Sequence, residues 1–180
     1  EKDYKKMYEE LIQRMLKNDG HTIQYIDNPT EEMKLMAVKE NGWAIEYIDN
    51  PSEELKLEAV KQKPWVIQLI ENPSEEVQIE AVKEDGTSIK YIKEPSEKVK
   101  LEAVKQTVWA IDYIEEQTEE IQLLVVKGRS WAIEFIKNPT EKVRELAREL
   151  KRKEEQEDYK KMYEELLEKI NKGENNGKRL

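Results

Sequence analysis

The sequence contains no cysteine and a single histidine, His21. The absence of cysteine excludes disulfide frameworks, thiolate metal sites and cysteine nucleophiles, and a lone histidine has no partner for a metal site. No apolar run approaches the roughly 20 residues that a membrane-spanning helix needs, and residues 1–17 are charged rather than signal-like. We therefore expect a soluble, cytoplasmic protein with no cofactor, no bound metal and no contact with a membrane.

Basic residues are fewer than acidic ones: 31 Lys and Arg stand against 40 Asp and Glu, a net charge of −9. Because binding to a phosphate backbone needs clustered basic side chains, nucleic acid is not expected as a direct partner. An acidic surface instead suits a basic patch on another protein. The sequence also contains no Walker loop, dinucleotide fingerprint, nucleophile elbow or calcium loop, so we expect a protein that is not an enzyme.

A repeat of 22 residues runs through most of the chain. Proline recurs at positions 29, 51, 73, 95 and 139, with Gln117 in the remaining slot, and each position is followed by Ser or Thr and then Glu. This order is typical of a helix start, since the hydroxyl caps free amides and the carboxylate complements the positive end of the helix. Each such start is followed by an Ala-Val-Lys ending or a close variant. The pattern predicts a helix of about ten residues from each Ser or Thr to each Lys.

A second, shorter helix is predicted after each of these. It carries two isoleucines three residues apart, which would share one face. Such short helices are unstable alone, so each hairpin must pack against its neighbours, as in a solenoid. We predict an all-α fold, an α-solenoid of about six stacked hairpins. The predicted boundaries are a capping helix at 1–19, the repeats at 20–139, a long C-terminal helix at 140–172 and a disordered tail at 173–180.

The segment 72–92, NPSEEVQIEAVKEDGTSIKYI, resembles a short tandem α-helical repeat of unknown function found in uncharacterised bacterial and phage proteins. The resemblance covers roughly residues 20–143. It implies stacked helical hairpins in a bacterial or infected bacterial cell, and it implies no functional residues.

The nine residues DYKKMYEEL occur twice, at 3–11 and at 158–166. Both copies predict amphipathic helices. The second has an apolar face that needs a partner, either the N-terminal helix or a second chain, and a homodimer through the C-terminal helix is one prediction. The residues of this candidate oligomer helix are Tyr159, Met162, Tyr163, Leu166 and Ile170.

Aromatic residues occupy two rows of the short helices. The first row is Trp43, Trp65, Trp109 and Trp131, with His21 and Thr87 in the same slot, and Thr87 leaves a gap. These rows suggest either a groove for a peptide or ligand or the packing spine of the solenoid. Since aromatic side chains dominate protein cores, we interpret them as core.

Acidic pairs at the helix starts form a ladder that could contact a basic protein or mimic a phosphate backbone. Solvated helix-start chemistry explains the same residues, and we favour that interpretation. The fifth repeat is the least regular and is a second candidate contact. Together the candidate binding residues are Glu31, Glu32, Glu53, Glu54, Glu75, Glu76, Glu119, Glu120, Leu124 and Arg129.

Three functions are compatible with the sequence. The first is a protein-binding repeat scaffold that uses an acidic or aromatic surface. The second is an acidic inhibitor, encoded by a phage or mobile element, of a host defence or nucleic-acid-binding protein. The third is a protein that sequesters a small molecule, with a pocket at the Thr87 gap or at a dimer seam. Binding that weakens steeply with salt would indicate the second.

Overall fold

The computed structural model describes residues 3–177, with side chains for residues 3–172. Over this range the chain is α-helical and 3₁₀-helical, without a β-strand, which confirms the predicted all-α fold. The α-helices are α1 Tyr4–Asn18, α2 Glu31–Glu40, α3 Glu53–Gln62, α4 Glu75–Glu84, α5 Glu97–Gln106, α6 Glu119–Gly128 and α7 Glu141–Gly177. The 3₁₀ helices are η1 Gly20–Tyr25, η2 Gly42–Tyr47, η3 Pro64–Leu69, η4 Gly86–Tyr91, η5 Val108–Tyr113 and η6 Ser130–Phe135. The chain divides into two compact units, one ending at Glu116 and the other beginning at Gln117.

The ten-residue helices begin where the sequence predicts. In each repeat the Ser or Thr before the helix accepts a hydrogen bond from the amide three residues later, as Thr30 does from Met33 at 3.2 Å and Ser74 does from Val77 at 3.2 Å. Acidic residues occupy the first turn and a lysine lies in the last, both favourable for the helix dipole. Local capping therefore sets the period of the repeat.

The second element of each repeat is a 3₁₀ helix of six residues. Asp19, Asn41 and Asp85 start three of these helices by accepting hydrogen bonds from the amide two residues later, at 2.9–3.1 Å. A 3₁₀ helix has three residues per turn, so residues three apart eclipse each other. In η2 this places Ile45 on the same side as Ile48, the residue that follows the helix, and both side chains are buried.

The turn between repeats uses a left-handed residue before proline. Asn28, Asn50, Asn72 and Glu94 have φ between 46° and 52°. Asparagine tolerates this conformation because its short polar side chain bonds locally, whereas other L-residues are strained there. The Asn-Pro pair of the repeat is therefore a backbone device.

Glycine at the start of a 3₁₀ helix permits a close approach to the next repeat. A Cβ atom on Gly86 would lie 2.4 Å from the carbonyl oxygen of Ala103, and one on Gly42 would lie 2.7 Å from that of Ala59. These distances are below van der Waals contact. The glycine thus fixes how closely η2 packs on α3 and η4 packs on α5.

The core of the first unit is built from rows of small and branched side chains, one row per repeat position. α1 closes its first end, packing Ile12 and Leu16 against the array. The fully buried members of the α-helical rows include Ala37, Val38, Leu55, Ala59, Val60, Val77, Ala81, Val82, Val99 and Ala103. Because each α-helix is too short to be stable alone, this burial between successive repeats holds the solenoid together.

The second unit packs α6 and η6 against the first turns of α7. Val126, Ala132 and Val143 are buried there, and the Ser130 hydroxyl donates a hydrogen bond to Glu154 at 2.6 Å. Side chains from 151 to 172 are exposed, as predicted for the central polar stretch of this long helix. The helix continues to Gly177, five residues into the predicted disordered tail, and residues 178–180 lie outside the described range.

Candidate interaction surface

The tryptophan row lies at the surface, so the prediction that it forms the core is wrong. Trp65, Trp109 and Trp131 are 45%, 48% and 43% exposed, and Trp43 is half-buried. The neighbouring row is also outside the core: Tyr25, Tyr47, Leu69 and Tyr113 are exposed, and Tyr91 and Phe135 are half-buried. The rows of the first unit form one surface, here called the aromatic face.

The period of the short helix explains this error. At 3.6 residues per turn, Trp43 and Tyr47 would be adjacent on one face of the helix. The observed helix has three residues per turn, so Gly42, Ile45 and Ile48 share the inner side. Trp43 then lies on another side of η2, together with Glu46. The aromatic residues are consequently left against solvent.

Lys90 lies in the middle of the aromatic face. Its Nζ atom is 4.7 Å from the ring centroid of Tyr91, 4.9 Å from that of Trp65 and 5.9 Å from that of Tyr113. These distances are within the range of cation–π attraction. Three rings from three successive repeats thus surround one ammonium group.

Asp85 orders the same cluster from below. Its carboxylate accepts hydrogen bonds from the Trp65 indole at 2.8 Å, the Thr87 hydroxyl at 2.7 Å and the Thr87 amide at 2.9 Å. Partial burial acts to raise the pKa of Asp85, but these hydrogen bonds and the charge of Lys90 together hold that pKa below its ordinary value. The carboxylate therefore stays charged and fixes the indole of Trp65 against the next repeat.

Thr87 occupies the slot where other repeats carry tryptophan, as the sequence indicated. The smaller side chain turns its hydroxyl toward Asp85. Lys90, three residues later in η4, then lies against the indole of the preceding repeat. The predicted gap is therefore filled by an ammonium group from the same chain.

The slot that Lys90 occupies is acidic in its neighbours. Glu46 in η2 and Asp112 in η5 hold the equivalent positions, and both side chains are exposed. The aromatic face therefore combines exposed rings with carboxylates. Sequence reasoning missed these residues because it treated the acidic ladder and the aromatic rows as separate surfaces.

Two grooves follow the aromatic face at successive repeats. One, of about 640 Å³, lies between the turn at 45–51 and residues 69–72, and the next, of about 550 Å³, lies between 67–73 and Tyr91. Leu69 lines both. Their linings are largely polar and include the carboxylates of Glu46 and Glu71. The grooves repeat with the helices and are not one enclosed cavity.

The first members of the acidic ladder are engaged between repeats. Ser74 donates a hydrogen bond to Glu53, and Ser96 donates one to Glu75 at 2.6 Å. In the second unit Thr140 and Lys142 contact Glu119 at 2.9 and 3.1 Å, and these hydrogen bonds lower the pKa of Glu119. The ladder therefore connects each helix start to the next. Glu31 bonds Lys34 at 2.7 Å, whereas Glu32, Glu54, Glu76 and Glu120 are exposed.

The irregular fifth repeat has no comparable cluster at its two predicted residues. Leu124 is half-buried, and Arg129 is exposed with its guanidinium donating to the carbonyl oxygen of Gly128 at 3.1 Å. His21 is half-buried, contacts the Tyr47 ring edge to face at 5.9 Å and lies 3.2 Å from Asp19. The structure thus brings the predicted binding residues to several separate places.

The residues of the candidate oligomer helix are all exposed. Tyr159, Met162, Tyr163, Leu166 and Ile170 lie in the part of α7 where no described side chain is buried. The matching residues of α1, Tyr4, Met7, Tyr8, Leu11 and Met15, are exposed as well.

Comparison with known protein families, with curated proteins and with solved structures returned no match. Among the residues that the structure describes, no helix has the length and apolar character that crossing a membrane requires. Within the same residues, His, Asp and Glu side chains do not gather in threes as a metal site would require.

Proposed function

We propose that this protein is a binding scaffold that holds an extended, basic segment of another protein along its aromatic face. The observation that carries this proposal is the position of Lys90, whose ammonium group lies against Trp65, Tyr91 and Tyr113. The chain itself supplies a cation to this surface. A lysine or arginine from a partner would make the same contacts beside the other exposed tryptophans.

Charge and shape support the same partner. Glu46 and Asp112 lie on the aromatic face, and Glu71 lines the grooves beside it. Opposite charges attract a basic segment and accelerate its association. Since the rings and grooves recur with each repeat, an extended chain can contact several repeats in succession, which is how stacked repeats bind.

The acidic inhibitor is the less supported alternative. It needs the acidic ladder as its contact surface, and Glu53, Glu75 and Glu119 in that ladder already hold adjacent helix starts together. A ring-lined surface keeps its non-electrostatic contacts at high salt, whereas a phosphate mimic does not. Measuring affinity across a salt series therefore separates the two functions.

The experiment is selection from a random peptide library displayed on phage, with the wild-type chain as bait. A variant that combines Trp65→Ser and Trp109→Ser is used for counter-selection, and Trp131→Ser, the same slot in the second unit, is the matched control. We expect enriched peptides to be basic, to lose affinity for the double variant and to keep it for the control. Peptides that are acidic, or that bind the double variant equally well, would contradict the proposal.

Lys90→Met offers a second test, because it removes the charge and keeps the length of the side chain. If Lys90 competes with the partner for the rings, this variant binds the selected basic peptides more tightly. Lys83→Met, an exposed lysine at the end of α4, is the control and should leave affinity unchanged. Weaker binding by Lys90→Met would show that the ammonium group does not occupy the partner's place.

A further inference from the structure

The second half of α7 presents a large apolar surface without any buried contact in the described chain. Tyr159, Met162 and Leu166 are 72%, 63% and 57% exposed, and Leu167 and Ile170 extend the same surface. A helix that stands alone in water is marginally stable. This surface therefore calls for a specific partner, and the sequence of the segment indicates which one.

The charges of this segment are arranged so that it complements itself. Lys160 and Lys161 precede Met162 and Tyr163, and Glu164 and Glu165 follow them. In a parallel pair of such helices like charges would face each other. In an antiparallel pair centred between Met162 and Tyr163, each lysine pair faces a glutamate pair, and opposite charges at such flanking positions determine partner and orientation.

The apolar residues agree with this register. About the same centre, Tyr159 of one copy faces Leu166 of the other, and Met162 faces Tyr163. The basic and acidic pairs and the apolar pairs are thus satisfied by one arrangement.

We propose that residues 158–166 of α7 pair with the same residues of a second copy of this chain, forming an antiparallel helix dimer. Such a pairing is isologous, the arrangement found in two-fold symmetric dimers. It goes beyond the proposed scaffold function and does not depend on it. Two copies would carry two aromatic faces, which raises affinity for a partner with repeated basic segments.

The identical segment in α1 is used differently. Leu167 and Ile12 hold equivalent positions after the two copies of DYKKMYEEL. Ile12 is buried within the first unit, whereas Leu167 is 40% exposed. The apolar surface of α1 is therefore partly covered by its own chain, and the surface of α7 is the larger one left open.

The duplication provides a matched control for the test. The mass of the intact chain, 21.4 kDa, is measured by light scattering and native mass spectrometry over a concentration series, beside Met162→Glu and Met7→Glu. We expect the wild type and Met7→Glu to reach twice the chain mass and Met162→Glu to stay at one. A wild type that stays at one chain mass, or a dimer that Met7→Glu alone disrupts, would overturn the proposal.

The orientation is tested by crosslinking, which is clean because the chain has no cysteine of its own. Tyr159→Cys and Leu166→Cys are made separately and oxidised alone or as a mixture. The antiparallel register predicts a disulfide-linked dimer chiefly in the mixture. Crosslinking of Tyr159→Cys with itself in preference to the mixture would show a parallel pair and overturn the proposed register.

Discussion

The Nζ atom of Lys90 lies 4.9 Å from the centroid of the Trp65 ring, and the indole of Trp65 donates a hydrogen bond to Asp85 at 2.8 Å. Residues of the third and fourth repeats are thereby joined through both an aromatic face and an indole N–H. This relationship combines stability and function. The hydrogen bond fixes the ring, and the fixed ring is a ready site for a cation.

The pH dependence of stability should reveal the role of Asp85. Its pKa is lowered on folding, so its contribution to stability is present above the pKa of the unfolded chain and is lost as pH falls through the folded pKa. Urea unfolding of the wild type and of Asp85→Asn, measured at a series of pH values, tests this. The stability difference between them should shrink on acidification below the ordinary aspartate range. A difference that is constant with pH would contradict the assignment.

Ser88→Ala should stabilise the protein. The Ser88 hydroxyl is fully buried and has no hydrogen-bond partner among the described residues, while Ala44 and Ala110 hold the equivalent position in other repeats. Removing an unsatisfied buried hydroxyl should raise the free energy of unfolding by about 1 kcal/mol. Urea unfolding measures this change. A loss of stability would mean that the hydroxyl has a partner in solution.

Gly86→Ala should have the opposite effect, although it lies only two residues away. The added Cβ would come within 2.4 Å of the Ala103 carbonyl oxygen and 2.9 Å of the Thr107 methyl carbon. Forcing α5 away should cost about 2 kcal/mol, typical of overpacking. Ser88→Ala, which also ends in a methyl side chain in η4, serves as its control. Equal stability of Gly86→Ala and the wild type would show that the repeats are spaced more widely.

Glu94→Asn should stabilise the fourth turn. Glu94 has φ of 50°, and the equivalent residues Asn28, Asn50 and Asn72 show that asparagine suits this conformation. We expect a gain of about 1 kcal/mol, since a left-handed residue other than Gly or Asn is strained. Glu116→Asn is the matched control, because Glu116 holds the next equivalent position without a positive φ. A similar gain in both variants would attribute the effect to charge.

The sequence predicts most of the fold because its signals are local. The Ser or Thr before each helix and the Glu after it determine where the helices start, and Thr30 and Ser74 cap them as expected. The 22-residue period then leads to stacking. The close approach at Gly86 needed more, because the nearest atom belongs to Ala103 in the next repeat.

The candidate site was less predictable, for a reason of helix geometry. The spacing of Trp43 and Tyr47 matches an α-helix, and the sequence does not show that the short element winds with three residues per turn. That difference turns both rings outward. The cluster of Lys90, Trp65 and Asp85 joins residues from different repeats, which a search within one repeat does not bring together.

The most direct test of the central claim is a nuclear magnetic resonance titration of the four tryptophan indole N–H signals. They are assigned by single Trp→Phe variants and followed while a basic peptide is added, or an acidic peptide of equal length. The account predicts that the signals of Trp43, Trp65 and Trp109 shift with the basic peptide and remain in place with the acidic one. Shifts confined to backbone amides of the acidic ladder, with unchanged indole signals, would contradict it.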